Sequence, residues 1–204
     1  MEAPRSRIIG ILIFDDVEVL DFCGPFEVFA TARQPGEHSN GTPLFSAITI
    51  AESMQTVTCN GGLLVAPNAT TADHPPLDIL VVPGGRGTRR ERQNKRLLDW
   101  IATQHQRAEL TTSVCTGALL LAERGILDTR RATTHWASVA WMRAEYPAVT
   151  VLDDRRVVDE GSIITSAGVS AGIDMSLHVV ARLHGPETAA WTARGMEYDW
   201  QPTT

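Results

Sequence analysis

The chain has 204 residues, 43% of them hydrophobic, and a formal net charge of −6. That is the size and composition of one domain with a full core. Its most basic stretch, Arg86 to Arg96, also holds Glu91, so no electrostatic footprint for nucleic acid is present. The apolar run Ile8 to Phe14 is too short for a signal segment or a membrane span. Three cysteines, at 23, 59 and 115, have neither metal nor disulfide spacing, and imply a reduced, cytoplasmic chain.

In chain order, the continuous apolar run Arg7 to Phe14 predicts a central strand buried on both faces. It ends in an acidic loop, Asp15 to Asp21, and Gly24-Pro25 is expected to open a helix with Pro25 in its first turn. Gln34 to Pro43 is a polar connection. Leu44 to Ile50 predicts the second strand, and Thr56 to Ala66 a hairpin around Asn60-Gly61-Gly62. Leu77 to Val82 is a third core strand ending in Pro83-Gly84-Gly85. Asn94 to Gln106 is an amphipathic helix with Leu97, Leu98, Trp100 and Ile101 on one side. Leu110 to Val114 is a strand, and a helix starting at Thr116-Gly117 is ended by Gly125. Ala137 to Glu145 is helical, and Thr150 to Val158 with Ser162 to Thr165 predicts a hairpin around Asp159-Glu160-Gly161. Helices over Ala171 to His184 and from Pro186 to Arg194 precede an irregular tail, Met196 to Thr204. Buried strands alternating with helices imply an α/β fold, a mainly parallel sheet covered by helices on both faces. No linker interrupts it, so residues 1–204 read as a single domain.

Ligands of such sheets bind beyond the carboxyl ends of the strands. Three loops converge there: Asp15 to Asp21, Pro83 to Gly87, and Val114 to Gly117. Cys115 sits between a strand and a helix, where a nucleophile elbow places its reactive side chain. The helix N-terminus predicts a thiolate of depressed pKa; the competing reading is a small buried core residue. Asp21, between Leu20 and Phe22, is either a helix cap or solvated loop acid, or a semi-buried carboxyl of raised pKa suited to proton transfer. Gly84 and Gly85 could aim an N–H at a developing negative charge, with the Thr116 N–H as a second donor; an ordinary glycine turn explains them equally. His135 either lines the pocket or packs beside Trp136. No histidine has metal-ligand spacing. Cys23 and Cys59 read as structural, although Cys23 is close enough to Asp21 in sequence to share its pocket.

Taken together, Leu20-Asp21-Phe22-Cys23-Gly24-Pro25, Val82-Pro83-Gly84-Gly85, Ser113-Val114-Cys115-Thr116-Gly117 and Ala132-Thr133-Thr134-His135-Trp136 resemble the DJ-1/PfpI superfamily, from Arg7 to about Tyr198. The resemblance implies the flavodoxin-like, class I glutamine amidotransferase-like fold with a nucleophile elbow. Within it the chain is most similar to the isonitrile hydratases, which carry an aspartate at the place of Asp21, S-V-C-T-G at the elbow, A-T-T-H-W downstream and a glycine turn like Ala167-Gly168-Val169. PfpI-type peptidases usually have glutamate at the place of Asp21, and many have histidine where this chain has Thr116. Cys23 stands where those hydratases carry threonine.

That likeness implies cysteine-dependent hydration of an isonitrile to an N-formamide. Cys115 would attack the terminal carbon while Asp21 supplies a proton, giving a thioimidate. Asp21 would then activate water, and the Thr116 hydroxyl would hold that water or orient Asp21. Gly168 and Cys23 would help shape the pocket wall. The likeness also implies a small-molecule substrate, a homodimer with the site near its interface, and no metal or organic cofactor. Two other readings stay open: a glyoxalase-, deglycase- or amidase-like hydrolase using Cys115, and a non-enzymatic ligand or redox sensor related to the N-terminal half of AraC-type regulators.

Overall fold

The computed structural model describes residues 5–37 and 40–202. The readings that touch Met1 to Pro4, His38 and Ser39 in the polar connection, and Thr203 and Thr204 in the tail lie outside the described residues. The elements run β1 (Arg7–Leu12), α1 (Val19–Thr31), β2 (Phe45–Ala51), β3 (Val57–Thr58), β4 (Leu64–Val65), β5 (Ala69–Thr70), β6 (Ile79–Val82), α2 (Thr88–Glu91), α3 (Lys95–Arg107), β7 (Leu110–Val114) and α4 (Gly117–Glu123). They continue with β8 (Arg131–Ala132), α5 (Val139–Glu145), β9 (Thr150–Val151), β10 (Val157–Asp159), β11 (Ile163–Ser166), α6 (Ala171–His184) and α7 (Pro186–Gly195).

The main sheet has seven strands in the order β10-β11-β7-β6-β1-β2-β5. All its pairs are parallel except β10 with β11. Every residue of β6, β7 and β11 is buried. Since side chains alternate between the two faces of a strand, that burial needs cover on both. The cover comes from two helix groups: α1, α6 and α7 pack against one another, and α4 packs against α2 and α3. Leu97, Leu98 and Ile101 form the buried stripe of α3, and the Asn94 side chain caps its start by accepting the Leu97 N–H at 3.2 Å.

Three expectations are corrected. Helix α1 begins at Val19, a turn earlier than Gly24-Pro25, so Pro25 lies in its interior. Asp21 is therefore a helix residue rather than part of a loop. Proline favours a helix opening because it lacks an N–H, but the buried Asp21 and Phe22 already commit the preceding turn to the core. The stretch Thr150 to Val158 is not one strand. It splits into β9, which pairs with β8 in a separate small parallel sheet, and β10, which forms the hairpin with β11. The short helix α2 stands directly after the glycine turn, where the sequence pattern predicts no helix.

The elbow is tied into this sheet at Gly117. A Cβ there would lie 2.0 Å from the Val82 carbonyl oxygen at the end of β6, a backbone atom that cannot swing aside. Gly117→Ala is expected to lower the urea midpoint by the equivalent of about 1–3 kcal/mol, the usual range for overpacking. Gly195→Ala is the control, since a Cβ there meets nothing within 4 Å. Equal midpoints for the two variants would contradict this packing.

Candidate active site

Strand β7 delivers the chain to Cys115 with its backbone in the left-handed region, at φ 59°. An L-residue there is strained by roughly 1–2 kcal/mol, so the turn must be held from outside. The Cys115 N–H is shared by the carbonyls of Ser166 (3.2 Å) and Ala167 (3.1 Å), at the end of β11 and just beyond it. The Cys115 carbonyl accepts a 2.7 Å hydrogen bond from the buried hydroxyl of Thr134. The segment carrying Thr134 is itself fixed by a 2.9 Å bond from the Thr133 N–H to Thr165 Oγ1.

Asp21 comes from the first turn of α1 and is 0% exposed. Its Oδ2 accepts the Gly84 N–H at 3.0 Å. Its Oδ1 is buried without a directional hydrogen bond, while the Cys115 thiol and the Val169 N–H lie close enough to act on the carboxyl. Burial dominates and raises the Asp21 pKa to about 7, with the nearby Glu18 charge adding to it. The Gly84 N–H, the Cys115 thiol and the Val169 N–H offset only part of that rise.

Cys115 is 6% exposed. Burial first, and the Asp21 charge second, push its thiol up to about 12. The Thr116 N–H and hydroxyl pull it down, but by less. The expected depressed thiolate is therefore corrected. The helix N-terminus does face the sulfur, yet α4 has only seven residues and its help is outweighed by burial beside a carboxylate. The two groups titrate as a pair: burial raises both, and an ionised Asp21 opposes ionisation of Cys115, so at and above neutrality they hold one proton between them.

Gly84 is where the acid and the elbow meet. A Cβ on it would fall 2.5 Å from the Thr116 nitrogen, 2.6 Å from Thr116 Oγ1 and 2.9 Å from Asp21 Oδ2. The glycine turn is stitched to the acidic loop by a bridge between Val17 and Gly85 and by a 3.0 Å bond from the Glu18 N–H to the Gly84 carbonyl. Both N–H groups read from the sequence as oxyanion donors have partners in this structure. The Gly84 N–H is engaged by Asp21, and the Gly85 N–H donates to Thr116 Oγ1 at 3.0 Å. The Thr116 N–H lies beside the Cys115 sulfur and favours its ionised form.

His135 packs edgewise on Gly168, where a Cβ would come within 2.2 Å of its Cδ2. Its Nδ1 accepts the Ala137 N–H at 3.3 Å, starting the short helical turn at Trp136–Ser138. It thus supports the backbone just before Val169, with Trp136 beside it, 80% exposed. Val169, Thr134 and Thr88 are site residues that the sequence did not single out. Val169 has φ 55°, which a β-branched residue beside Gly168 does not announce; Thr134 stands in the A-T-T-H-W stretch without a local sign of its own role, and nothing marks Thr88 locally. Cys23 is half-buried and Cys59 buried; burial raises both thiols. A cavity of about 560 Å³ elsewhere, lined by residues including Asp15, Glu52, Arg90, Glu91 and Asn94, shares no lining with the pair. Among the described residues no group of three or more His, Cys, Asp or Glu side chains could hold a metal ion, and no helix is long and apolar enough to cross a membrane.

Comparison with known proteins gives this geometry relatives. The family described as DJ-1/PfpI matches residues 7–182. An isonitrile hydratase of Pseudomonas putida is 36% identical over 190 residues, covering 93% of this chain and 78% of the relative. The HTH-type transcriptional regulator GbdR of Pseudomonas aeruginosa is 29% identical over 187 residues, which is 92% of this chain but only 49% of the regulator. Among solved structures, a ThiJ/PfpI family protein of Pseudomonas syringae superposes with a TM-score of 0.84 at 32% identity, covering 97% of this chain and 77% of that one. DJ-1beta of Drosophila melanogaster shares the fold, with a TM-score of 0.80 at 20% identity over 96% of this chain and all of the other.

The buried carboxyl has a measurable signature in stability. Its folded pKa of about 7 lies above the ordinary 3.8, so the folded state holds this proton more tightly than the unfolded chain does. Its contribution is fully present below pH about 4 and is lost as pH rises through about 7. Asp21→Asn keeps an oxygen for the Gly84 N–H and removes the titration. Unfolding free energy of the variant minus wild type is expected to grow across that window, reaching on the order of a few kcal/mol at pH 8. A difference that stays flat with pH would contradict the buried, raised carboxyl.

Proposed function

The chain belongs to the DJ-1/PfpI family, and from that premise we propose that it hydrates isonitriles to N-formamides, with Cys115 as nucleophile and Asp21 as the proton-transfer group. One observation carries the choice of reaction. The two strand-end N–H groups that would stabilise an oxyanion in acyl transfer are already bonded to Asp21 and Thr116. Addition to an isonitrile carbon develops no oxyanion in its first step. It needs a nucleophile and a proton delivered to the same atom, and the Asp21–Cys115 pair holds both. The 36% identity with an isonitrile hydratase supports the same choice. So does the near-burial of Cys115, since the rod-like N≡C group can reach a sulfur that a peptide would not.

In this reading the pair starts with one proton. Sulfur forms a bond to the terminal carbon of R–N≡C as the shared proton passes through Asp21 to that carbon, giving R–N=CH–S–Cys115 and an ionised Asp21. The carboxylate then takes a proton from water as the water oxygen bonds to the carbon. Asp21 returns that proton to nitrogen. The C–S bond breaks as the carbonyl forms, the hydroxyl proton goes back to the pair, and R–NH–CHO leaves. Thr116 donates to sulfur from its backbone, and His135 and Gly168 support the wall that carries the Val169 N–H. A homodimer belongs to this reading. The β3–β4 hairpin leaves Leu63 and Leu64 46% and 65% exposed beside the acidic loop, to which it is bonded through the Asn60 N–H and the Val17 carbonyl. Cytoplasmic placement belongs to it as well.

A second reading is favoured by one finding, the match to GbdR: the chain spans about half the length of that regulator. As a sensor, the site would bind a small ligand without turnover. Adding alkyl and aryl isonitriles and following N-formamide formation separates the two. Wild type is expected to turn over, Cys115→Ala to fall to background, and Asp21→Asn to lose about 10²- to 10⁴-fold in kcat. The wild-type rate is expected to rise with pH through about 7, where the pair loses its second proton. No turnover by wild type on any of several isonitriles leaves the sensor reading. Formamide that persists in Cys115→Ala removes the covalent step.

A further inference from the structure

Thr88, the first residue of α2, is 1% exposed. Its Oγ1 lies 2.8 Å from the Gly85 carbonyl oxygen and 3.1 Å from Thr116 Oγ1. Thr116 Oγ1 in turn lies 3.0 Å from the Gly85 nitrogen and 3.3 Å from the Gly85 oxygen. A hydroxyl has one proton and two acceptor positions, so the Thr88 proton goes either to Thr116 Oγ1 or to the Gly85 carbonyl. The Gly85 N–H can only donate, and it fills one acceptor position of Thr116 in both.

In the first arrangement Thr88 donates to Thr116 Oγ1. Both acceptor positions of Thr116 are then filled, and its own proton is left for the Cys115 sulfur, whose ionisation the Thr116 hydroxyl favours. In the second, Thr88 donates to the Gly85 carbonyl. The Thr116 proton is then divided among Thr88, that carbonyl and the sulfur, so the sulfur has no committed donor. Negative charge on sulfur favours the first, because a hydrogen bond to an anion is roughly twice as strong as one between neutral groups.

We propose that Thr88 is a positioning residue that sets the direction of the Thr116 hydroxyl, turning it onto the Cys115 sulfur as that sulfur gives up its proton. Two hydroxyl rotations accomplish the change, with no heavy atom displaced. The inference rests on the reading of Cys115 as nucleophile and deepens it. It places the support for sulfur one residue farther from the reacting atoms, on an element outside the recognised motifs. The titratable group acting on the sulfur is Asp21 from α1, with Glu18 behind it.

The test reads Cys115 itself and needs no isonitrile. Alkylation by iodoacetamide is followed at Cys115 by peptide mass spectrometry between pH 6 and 11 in wild type, Thr88→Val, Thr88→Ser, Thr116→Val and the Thr88→Val/Thr116→Val double variant. Thr88→Val is expected to shift the alkylation profile to higher pH, slowing reaction about threefold to tenfold on the rising limb. Thr88→Ser should restore the wild-type profile. The double variant should match Thr116→Val alone, since Thr88 acts through that hydroxyl. A Thr88→Val profile that overlays wild type overturns the proposal, as does a double variant slower than Thr116→Val by the full Thr88→Val factor. Circular dichroism checks folding. If Thr88→Val unfolds, Thr88→Ala removes the same hydroxyl and is read by the same criteria. A shift found in a protein that turns over no isonitrile would retain this inference and remove the hydratase reading.

Discussion

A single hydrogen bond, from the Gly84 N–H to Asp21 Oδ2, organises the carboxyl edge of this sheet. Among the described residues it gives a carboxyl with no exposure to water its one directional partner. An isolated charge in that position would be severely destabilising, and a single amide donor does not cancel the penalty. The ionisation equilibrium shifts instead, and the group keeps its proton far above the ordinary carboxylate range. The bond also fixes the crowding around Gly84, because the Asp21 oxygen and both polar atoms of Thr116 occupy the volume a side chain would need.

The nucleophile's side of the site is held differently. Cys115 is strained, and its restraint comes from elements that contribute no reacting group. The segment after β8 supplies the Thr134 hydroxyl to the Cys115 carbonyl, and the end of β11 supplies two carbonyls to its N–H. The small β8–β9 sheet, peripheral by position, braces that segment. Burial of the sulfur then does what the helix N-terminus alone would not. It keeps the thiol protonated until a partner accepts the proton, so the reactive state is made at the moment of use.

The strand pattern was legible because core strands with every residue buried read as unbroken Val, Ile and Leu runs, as at Ile79–Val82. Cys115 was legible because strand, turn and helix come one after another within a few residues. Asp21 was legible as a residue but not in its place in the fold: a proline suggests a helix start more strongly than Val19 and Leu20 do, and tertiary packing overruled it. The ionisation of Cys115 could not be read locally. A helix N-terminus is written in adjacent residues, whereas desolvation depends on Asp21 and on chain far away in sequence. The same limit hid Val169, whose left-handed backbone sits next to the glycine that would ordinarily adopt it, and Thr88 and Thr134, whose roles exist only through contacts across the fold.

The sheet order β7-β6-β1 has a consequence for how the molecule becomes competent. The acid lies beyond β1, the nucleophile beyond β7, and these strands are not neighbours; β6 separates them, and the amide that holds the acid lies just beyond β6. Parallel pairings of this kind join distant parts of the chain and form slowly compared with local contacts. No pair of adjacent strands contains the site, and no short stretch of the chain does. A partly folded molecule with one pairing missing would carry a buried or exposed thiol but no proton partner for it, so reactivity is withheld until the centre of the sheet is complete.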